Sequence, residues 1–333
     1  MKNKLTLFDS SIIYVACPAN SATGGPELLH QLVYQLNSIG ARAFMYYYDS
    51  KSDNPVHKEY LKYQNPHVCN VKDDKTNILV VPEVTTGVLY DYSNIQKVIW
   101  WLSVDNYSSS IKFTSRLKSF IKSRKIRCFN YYSFNLDESI QHCVQSYYAK
   151  NYLINNGIDD IVILSDYLNE AFLELQLKKT NSIKKNVVLY NPNKGEKFTK
   201  KLIDSAKNIN FLPIENLTRD EVCDLLTTAK VYIDFGNHPG KDRIPREAAV
   251  SGCCIIVGLA GSARYFEDVA IDDEFKFDIT DENILKIVNK INECLKDYEI
   301  HDMKFNSYRE KIKQEKGKFS KDVKEIFKKQ VCI

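Results

Sequence analysis

Two doubly wound parallel α/β domains in tandem, followed by a helical C-terminal extension, are the architecture that this 333-residue sequence predicts. Three observations lead to it. Short apolar runs of strand length alternate with segments of helical spacing along most of the chain. The alternation breaks once, at a polar stretch ending near Asn186, and then resumes. Beyond residue 280 only helical spacing remains, so the expected divisions are residues 1–175, 186–280 and 281–333.

The run SIIYVACP (11–18) reads as a buried strand, and ANSATGG leads from it into a helix. Leu28, Leu29, Leu32, Val33 and Leu36 recur there at helical spacing, and Gly40 ends the helix. ARAFMYYY resumes as a strand, which completes a βαβ opening. The N-terminus superficially resembles a secretory leader, but Asp9-Ser10-Ser11 interrupts its apolar run, so the segment is read as the approach to the first strand. NILVVPEV (77–84) and KVIWWLSV (97–104) are two more strands, with a helix or turn over 86–95. IRCFNYYS (126–133) and IDDIVILS (158–165) are weaker strand candidates. HCVQSYYAKNYLINNG, between them, reads as a helix stopping at Gly157.

DYLNEAFLELQLKK leads out of the first domain as a helix, with Asp166 either its cap or a residue facing a ligand. In the second domain NVVLYNP is a strand, NKGEKFTKKLIDSAKN a loop and helix, and INFLPIEN a strand and turn. LTRDEVCDLLTTA is a helix whose Thr218 and Glu221 have the spacing of a capping box. VYIDFG, REAAVSG and CCIIVG then give strand, short helix and strand. In the extension, Phe319, Val323 and Phe327 are spaced four apart and form an apolar face that can brace the two domains.

Composition excludes several classes. Hydrophobic residues at 44% and charged residues at 26% belong to an ordered protein rather than a disordered one. A formal charge of only +4 creates no global field for nucleic acid. The nine cysteines show neither a CxxC pair nor a Cys/His metal spacing, so no metal site and reduced cytoplasmic thiols are expected. No stretch approaches a membrane span. The fingerprints GxGxxG and GxxxxGK[ST] are both missing from the sequence, which argues against hydride transfer and NTP hydrolysis.

Ligands of open α/β sheets bind beyond the carboxyl ends of the strands. Five polar segments fall there: GGPE, SVDNYS, NPNKG, GNHPGKDRIPRE and LAGSARY. Two facing domains would collect them around one cleft. Asn191 and Lys194, before a helix, suit phosphate, although an exposed turn lysine is the plainer reading. In HPGKDRIPRE, Arg243 can meet two phosphate oxygens and Gly240 permits an unusual backbone shape. Lys241 adds charge, and Glu247 suits ribose or sugar hydroxyls; a surface ion-pair network is the competing explanation. His238 is either a ligand contact or a lone structural histidine. Gly24 and Gly25 allow close backbone approach or merely form a turn, and Gly261 and Ser262 line the last loop. Asp105 is placed to accept a hydroxyl proton, or else to hold its own turn.

IKFTSRLKSFIKSRKIR (111–127) holds seven basic and no acidic residues. If helical, Phe113, Leu117, Phe120 and Ile121 form a stripe that either lies on an anionic membrane or packs on the first sheet.

The chain resembles the GT-B glycosyltransferases, in particular the GT4-like group of bacterial glycan synthesis. The resemblance rests on ACPANSATGGPELLHQLVYQLNSIG, on NVVLYNPNKGEKF running through LTRDEVCDLLTTAKVYIDFG, and on REAAVSGCCIIVG, in the family's order. It implies two Rossmann-like domains facing a central cleft. It also implies transfer of a sugar from a nucleotide-sugar donor to a hydroxyl of a capsule, O-antigen, lipopolysaccharide or lipid-linked glycan. Gly24 and Gly25 would lie near the donor phosphates, Lys194 on the diphosphate and Glu247 on the ribose. Many members carry a second glutamate where this chain has Pro239, which leaves Lys241 and Arg243 as a local solution. No cofactor or tightly bound metal is expected, and the location implied is cytoplasmic, peripheral on the inner face of the membrane. A nucleotide-sugar epimerase and a noncatalytic glycan-binding protein are the alternatives.

Overall fold

The structure is a computed structural model that describes residues 3–48, 50, 52–123, 129–134, 138–179 and 182–329. The chain divides into two compact units, Met1–Asp166 with Gly317–Ile333 and Tyr167–Lys316.

The first unit contains β1 (Ile13–Cys17), α1 (Gly24–Ser38), β2 (Ala43–Tyr47), β3 (His67–Val68), β4 (Ile78–Pro82) and β5 (Gln96–Trp101). α2 (Val104–Ser110), α3 (Phe113–Ser123), β6 (Gln141–Val144), α4 (Tyr147–Asn155) and β7 (Ile161–Ile163) follow. Its sheet is parallel, in the order β3-β2-β1-β4-β5-β6-β7. β1 and β4 are buried at every position, as their unbroken apolar runs require of strands covered on both faces. α1 buries Leu29, Leu32, Val33 and Leu36, and Gly40 turns the chain back with φ of 81°.

Two strand expectations are corrected. In IRCFNYYS, residues 126–128 lie outside the described residues and 129–133 form no strand. The strand is β6, inside the stretch expected to be helical, because Gln141–Val144 pair with β5 on one side and β7 on the other. The helix begins only at Tyr147, where the Ser146 hydroxyl accepts from the Ala149 N–H at 3.1 Å. Between β4 and β5 the chain forms a 3-10 turn, Glu83–Asp91. β3 was not foreseen, since two residues carry no periodicity.

The second unit opens with α5 (Glu170–Lys178), followed by β8 (Lys185–Tyr190), α6 (Glu196–Ser205), β9 (Phe211–Pro213), α7 (Arg219–Thr228) and β10 (Ala229–Asp234). α8 (Arg243–Val250), β11 (Cys254–Gly258), β12 (Lys276–Phe277), α9 (Ile284–Lys296), α10 (Tyr298–Met303) and α11 (Asn306–Lys313) complete it. Its sheet is also parallel, in the order β12-β11-β10-β8-β9. The Thr218–Glu221 capping box forms at the start of α7. Asn169, not Asp166, caps α5, accepting from the Ala171 N–H at 2.9 Å; Asp166 is fully buried.

The helical extension is shared between the units. α9 to α11 bury Ile287, Ile291, Phe305, Tyr308 and Ile312 in the core of the second unit. α12 (Glu315–Ile326) then carries Phe319, Val323 and Phe327 into burial in the first unit. Phe319 stacks on Trp100 with ring centroids 6.3 Å apart, and Asp322 accepts from the Ser165 N–H at 2.9 Å. Among the described residues no helix is long and apolar enough to cross a membrane.

Candidate functional site

In the second unit β8 and β10 are neighbours although β9 lies between them in sequence, so the winding direction reverses at that pair. The loops leaving their carboxyl ends diverge at such a point and leave a crevice, the usual ligand position in an open α/β sheet. Those loops are 191–195 and 235–242, two of the five polar segments singled out from the sequence.

Local chemistry shapes the first loop. The Asn191 side chain accepts from the Asn193 N–H at 3.0 Å, an Asx turn that delivers Lys194 to the sheet end. Gly195 then adopts a left-handed conformation, φ 63°, as the N-cap of α6. A β-carbon on Gly195 would collide with the Phe235 carbonyl, and one on Gly236 would collide with the Lys194 side chain. The two loops are therefore packed backbone against backbone, which only glycine allows.

The second loop is organised around carboxylates. Asp234, at the end of β10, accepts from the Gly236 N–H at 2.9 Å and from the Tyr232 hydroxyl at 3.0 Å. His238 is completely buried, with Nδ1 3.1 Å from Asp242 Oδ2 and Nε2 3.7 Å from Asp234 Oδ1. The same Asp242 oxygen takes the Lys194 ammonium at 2.6 Å. From the loop after β11, the Ser262 N–H donates to the His238 carbonyl at 2.8 Å and its hydroxyl donates to the Gly240 carbonyl at 2.6 Å. Gly261, φ 53°, must be glycine because a β-carbon there would strike the His238 carbonyl. The left-handed glycines of this site are Gly195 and Gly261; Gly240, expected to supply the unusual backbone shape, is not among them.

Burial by itself pushes the His238 pKa down, but the carboxylates of Asp242 and Asp234 outweigh it and hold the imidazole above its ordinary value. Asp242 is held below the usual carboxylate range: burial opposes ionisation, and His238 and Lys194 together overcome it. Asp234, His238 and Asp242 bring possible ligand atoms within 4.8 Å of one another, a spacing that a cation can use. The Lys194 ammonium already lies against Asp242 in this cluster.

A pH dependence follows. The imidazolium stabilises the fold fully below the unfolded pKa of about 6.5, and that contribution drains away as pH rises through the elevated folded value. Asp242 contributes above its ordinary range and loses its contribution as pH falls through its lowered value. Thermal melts should show the midpoint falling from mildly acidic to mildly alkaline pH, with a flatter profile for His238→Asn; equal slopes would show that His238 is not the titrating group.

α8 starts at this loop. Asp242 occupies its N-cap position without making a side-chain cap, which leaves first-turn N–H groups available to an anion. Arg243 is half exposed, and its Nε lies 3.2 Å from the buried Glu247 carboxylate. Lys241 is directed elsewhere, onto Glu315 at 2.8 Å. Arg246 joins the same carboxylate at 2.7 Å and donates to the carbonyls of Lys241 and Asp242, which fixes the loop's exit. Glu315 had no signal in the sequence, since its partners lie 74 and 69 residues away.

The first unit holds the remaining predicted residues. Gly24 and Gly25 are the first two residues of α1; a β-carbon on Gly24 would meet nothing within 4 Å and one on Gly25 only the Leu102 side chain at 3.9 Å, so packing within the chain does not demand glycine there. Asp105 lies in the first turn of α2 and accepts from the Tyr148 hydroxyl at 2.9 Å. Sequence reasoning missed Glu83, just beyond β4, which accepts from the Leu102 N–H at 2.8 Å. Burial pushes its carboxyl up to about 8.

No protein-family model matches the sequence. An α-1,6-glucosyltransferase of Actinobacillus pleuropneumoniae serotype 7 (strain AP76) is 32% identical over 72 residues, a stretch that covers 22% of each chain. Among solved structures, a sucrose-phosphate synthase from Thermosynechococcus elongatus is similar with a TM-score of 0.59 at 12% identity, covering 95% of this chain and 98% of that one. HepE of Anabaena, solved with UDP, gives 0.58 at 11% over 95% and 98%. The lipopolysaccharide outer core galactosyltransferase WaaB gives 0.58 at 13% over the same shares. These similarities show the fold, two Rossmann-like lobes of GT-B architecture with a helical C-terminal extension.

Proposed function

We propose that this chain is a nucleotide-sugar-dependent glycosyltransferase that moves a sugar onto a hydroxyl of a bacterial surface glycan or a lipid-linked acceptor. The observation that carries the reading is the meeting of Lys194, Asp242 and His238 at the point where the winding of the second sheet reverses, beside the uncapped start of α8. Two of the similar proteins named above support it, an α-1,6-glucosyltransferase and a galactosyltransferase of the lipopolysaccharide outer core, and HepE was solved with UDP.

The donor's diphosphate is assigned to Lys194, Arg243 and the N–H groups at the start of α8, with Asn191, Gly240, Gly261 and Ser262 shaping the loops around it. Charge develops on the departing phosphate, so fixed cations help most in the transition state, and they act without a bound metal. Asp242 orients Lys194 and favours the protonated form of His238. Glu247, steadied by Arg243, is assigned to the ribose hydroxyls. Asp105 is the proposed base for the acceptor's hydroxyl proton if the sugar's configuration inverts, and a positioning group if it is retained.

A thermal-shift screen of nucleotide sugars tests this directly. A true donor at a hundred times its Kd should stabilise the fold by about 2.7 kcal/mol. Free nucleoside diphosphate should then accumulate only when a glycan acceptor is added. Failure of every nucleotide sugar to raise the midpoint would remove the proposal.

A further inference from the structure

α3 turns apolar residues toward solvent. Phe113, Leu117 and Ile121 follow at i, i+4 and i+8, share one face, and are 69%, 41% and 67% exposed. Of the two fates expected for this stripe, packing on the first sheet is not the one the fold uses. Other residues attach the helix. Arg116 is buried, lies against the Tyr131 ring and donates to the Phe129 carbonyl at 3.0 Å, while the Phe120 ring packs 5.3 Å from that of Phe129. Phe113 makes one tilted ring contact, its centroid 6.5 Å from that of Phe129, yet all three residues of the stripe stay largely exposed, and a row of apolar side chains in water is unfavourable until something covers it.

Charge indicates the covering surface. Lys112 and Lys118 are exposed at this helix, and the sequence from Asn106 to Leu136 contains seven Lys or Arg and no Asp or Glu. A second copy of the same face would bring like charges together. A purely apolar groove would leave the lysines without a counterpart. An anionic bilayer satisfies both the stripe and the lysines. Tyr90 adds to the match: it is 45% exposed, and its hydroxyl donates at 3.3 Å to the carbonyl of Tyr131, the residue on which Arg116 rests. An aromatic ring with a polar tip suits headgroup depth.

We propose that α3 docks on an anionic phospholipid surface, inserting Phe113, Leu117 and Ile121 below the headgroups and placing Lys112 and Lys118 against the lipid phosphates. The proposal is independent of the sugar-transfer reading, because its test needs neither donor nor acceptor.

The full chain is sedimented with vesicles of phosphatidylcholine alone or of phosphatidylcholine mixed with phosphatidylglycerol. Binding to the mixed vesicles only, weakened by added salt, is the expected result. The variant Phe113→Ser/Leu117→Ser/Ile121→Ser and the separate variant Lys112→Glu/Lys118→Glu should each lower the partition coefficient at least about tenfold. Both variants should keep the parental circular dichroism spectrum, and their thermal midpoints should stay close to the parental one, since Arg116 and Phe120, which attach the helix to Tyr131 and Phe129, are unchanged. Lack of binding to the mixed vesicles, equal binding to both kinds, or unchanged binding by the folded variants would overturn the proposal. So would lipid-free self-association that the stripe variant abolishes, which would make a second copy the occupant.

Discussion

Replacing Lys194 by methionine is expected to lower turnover by about 10²–10³-fold, the loss typical of removing one fixed donor from a site where negative charge develops. The ammonium stands at the reversal point of the second sheet, held at 2.6 Å by Asp242, so it needs little reorganisation to meet a phosphate. Lys194→Arg should recover only part of the activity, since a planar guanidinium cannot occupy the place of a compact ammonium without moving Asp242. Stability has to be separated from catalysis here. Methionine leaves Asp242 with His238 as its remaining cation, and the loss of a partner at a largely buried carboxylate costs about 1–3 kcal/mol. The double variant Lys194→Met/Asp242→Asn should therefore regain thermal stability and remain inactive. Release of nucleoside diphosphate in the presence of acceptor, measured beside the melting midpoint, distinguishes the two effects. Full activity in the folded Lys194→Met protein would end the assignment of this residue to the diphosphate.

The largest effects on folding are expected at three glycines of the same site. Alanine at Gly195 or Gly261 meets a backbone carbonyl while also requiring a left-handed conformation, and alanine at Gly236 meets the Lys194 side chain at its root. A backbone obstacle cannot rotate away, so Gly195→Ala and Gly261→Ala should each cost more than about 3 kcal/mol and abolish donor-induced stabilisation. Gly236→Ala should behave similarly. Gly24→Ala is the matched control: its β-carbon has open space, and alanine in the first turn of α1 should be neutral or stabilising by up to about 1 kcal/mol. Urea unfolding of the four variants gives the comparison, and a Gly261→Ala protein as stable as the parent would show that the loop after β11 does not pack on the His238 carbonyl as described.

Sequence reasoning found Gly24 and Gly25 more readily than Gly195, Gly236 and Gly261, because a doubled glycine stands out in a row of letters. The requirement for glycine is spatial, however, and arises where a loop from one strand meets the backbone of a loop from its neighbour. His238 illustrates the same limit from the other side. Its position beyond a strand was readable, but its complete burial between two carboxylates was not.

Most strands and helices followed from the one-dimensional pattern, since the apolar runs of β1, β4, β8, β10 and β11 and the spacing in α1 and α7 report burial that neighbouring residues share. The pattern misplaced β6, whose polar Gln141 and His142 are buried by strands on both sides rather than by any local preference. By itself the sequence determined the order of the elements, the two-lobed class and the strand ends at which charged loops gather. Only the tertiary structure decided which charges pair, as Asp242 with Lys194 across 48 residues and Glu315 with Lys241 across 74, and that the stripe of α3 faces solvent. Periodicity is a property of adjacent residues, whereas an ion pair or an uncovered face depends on what the folded chain brings, or fails to bring, from far away.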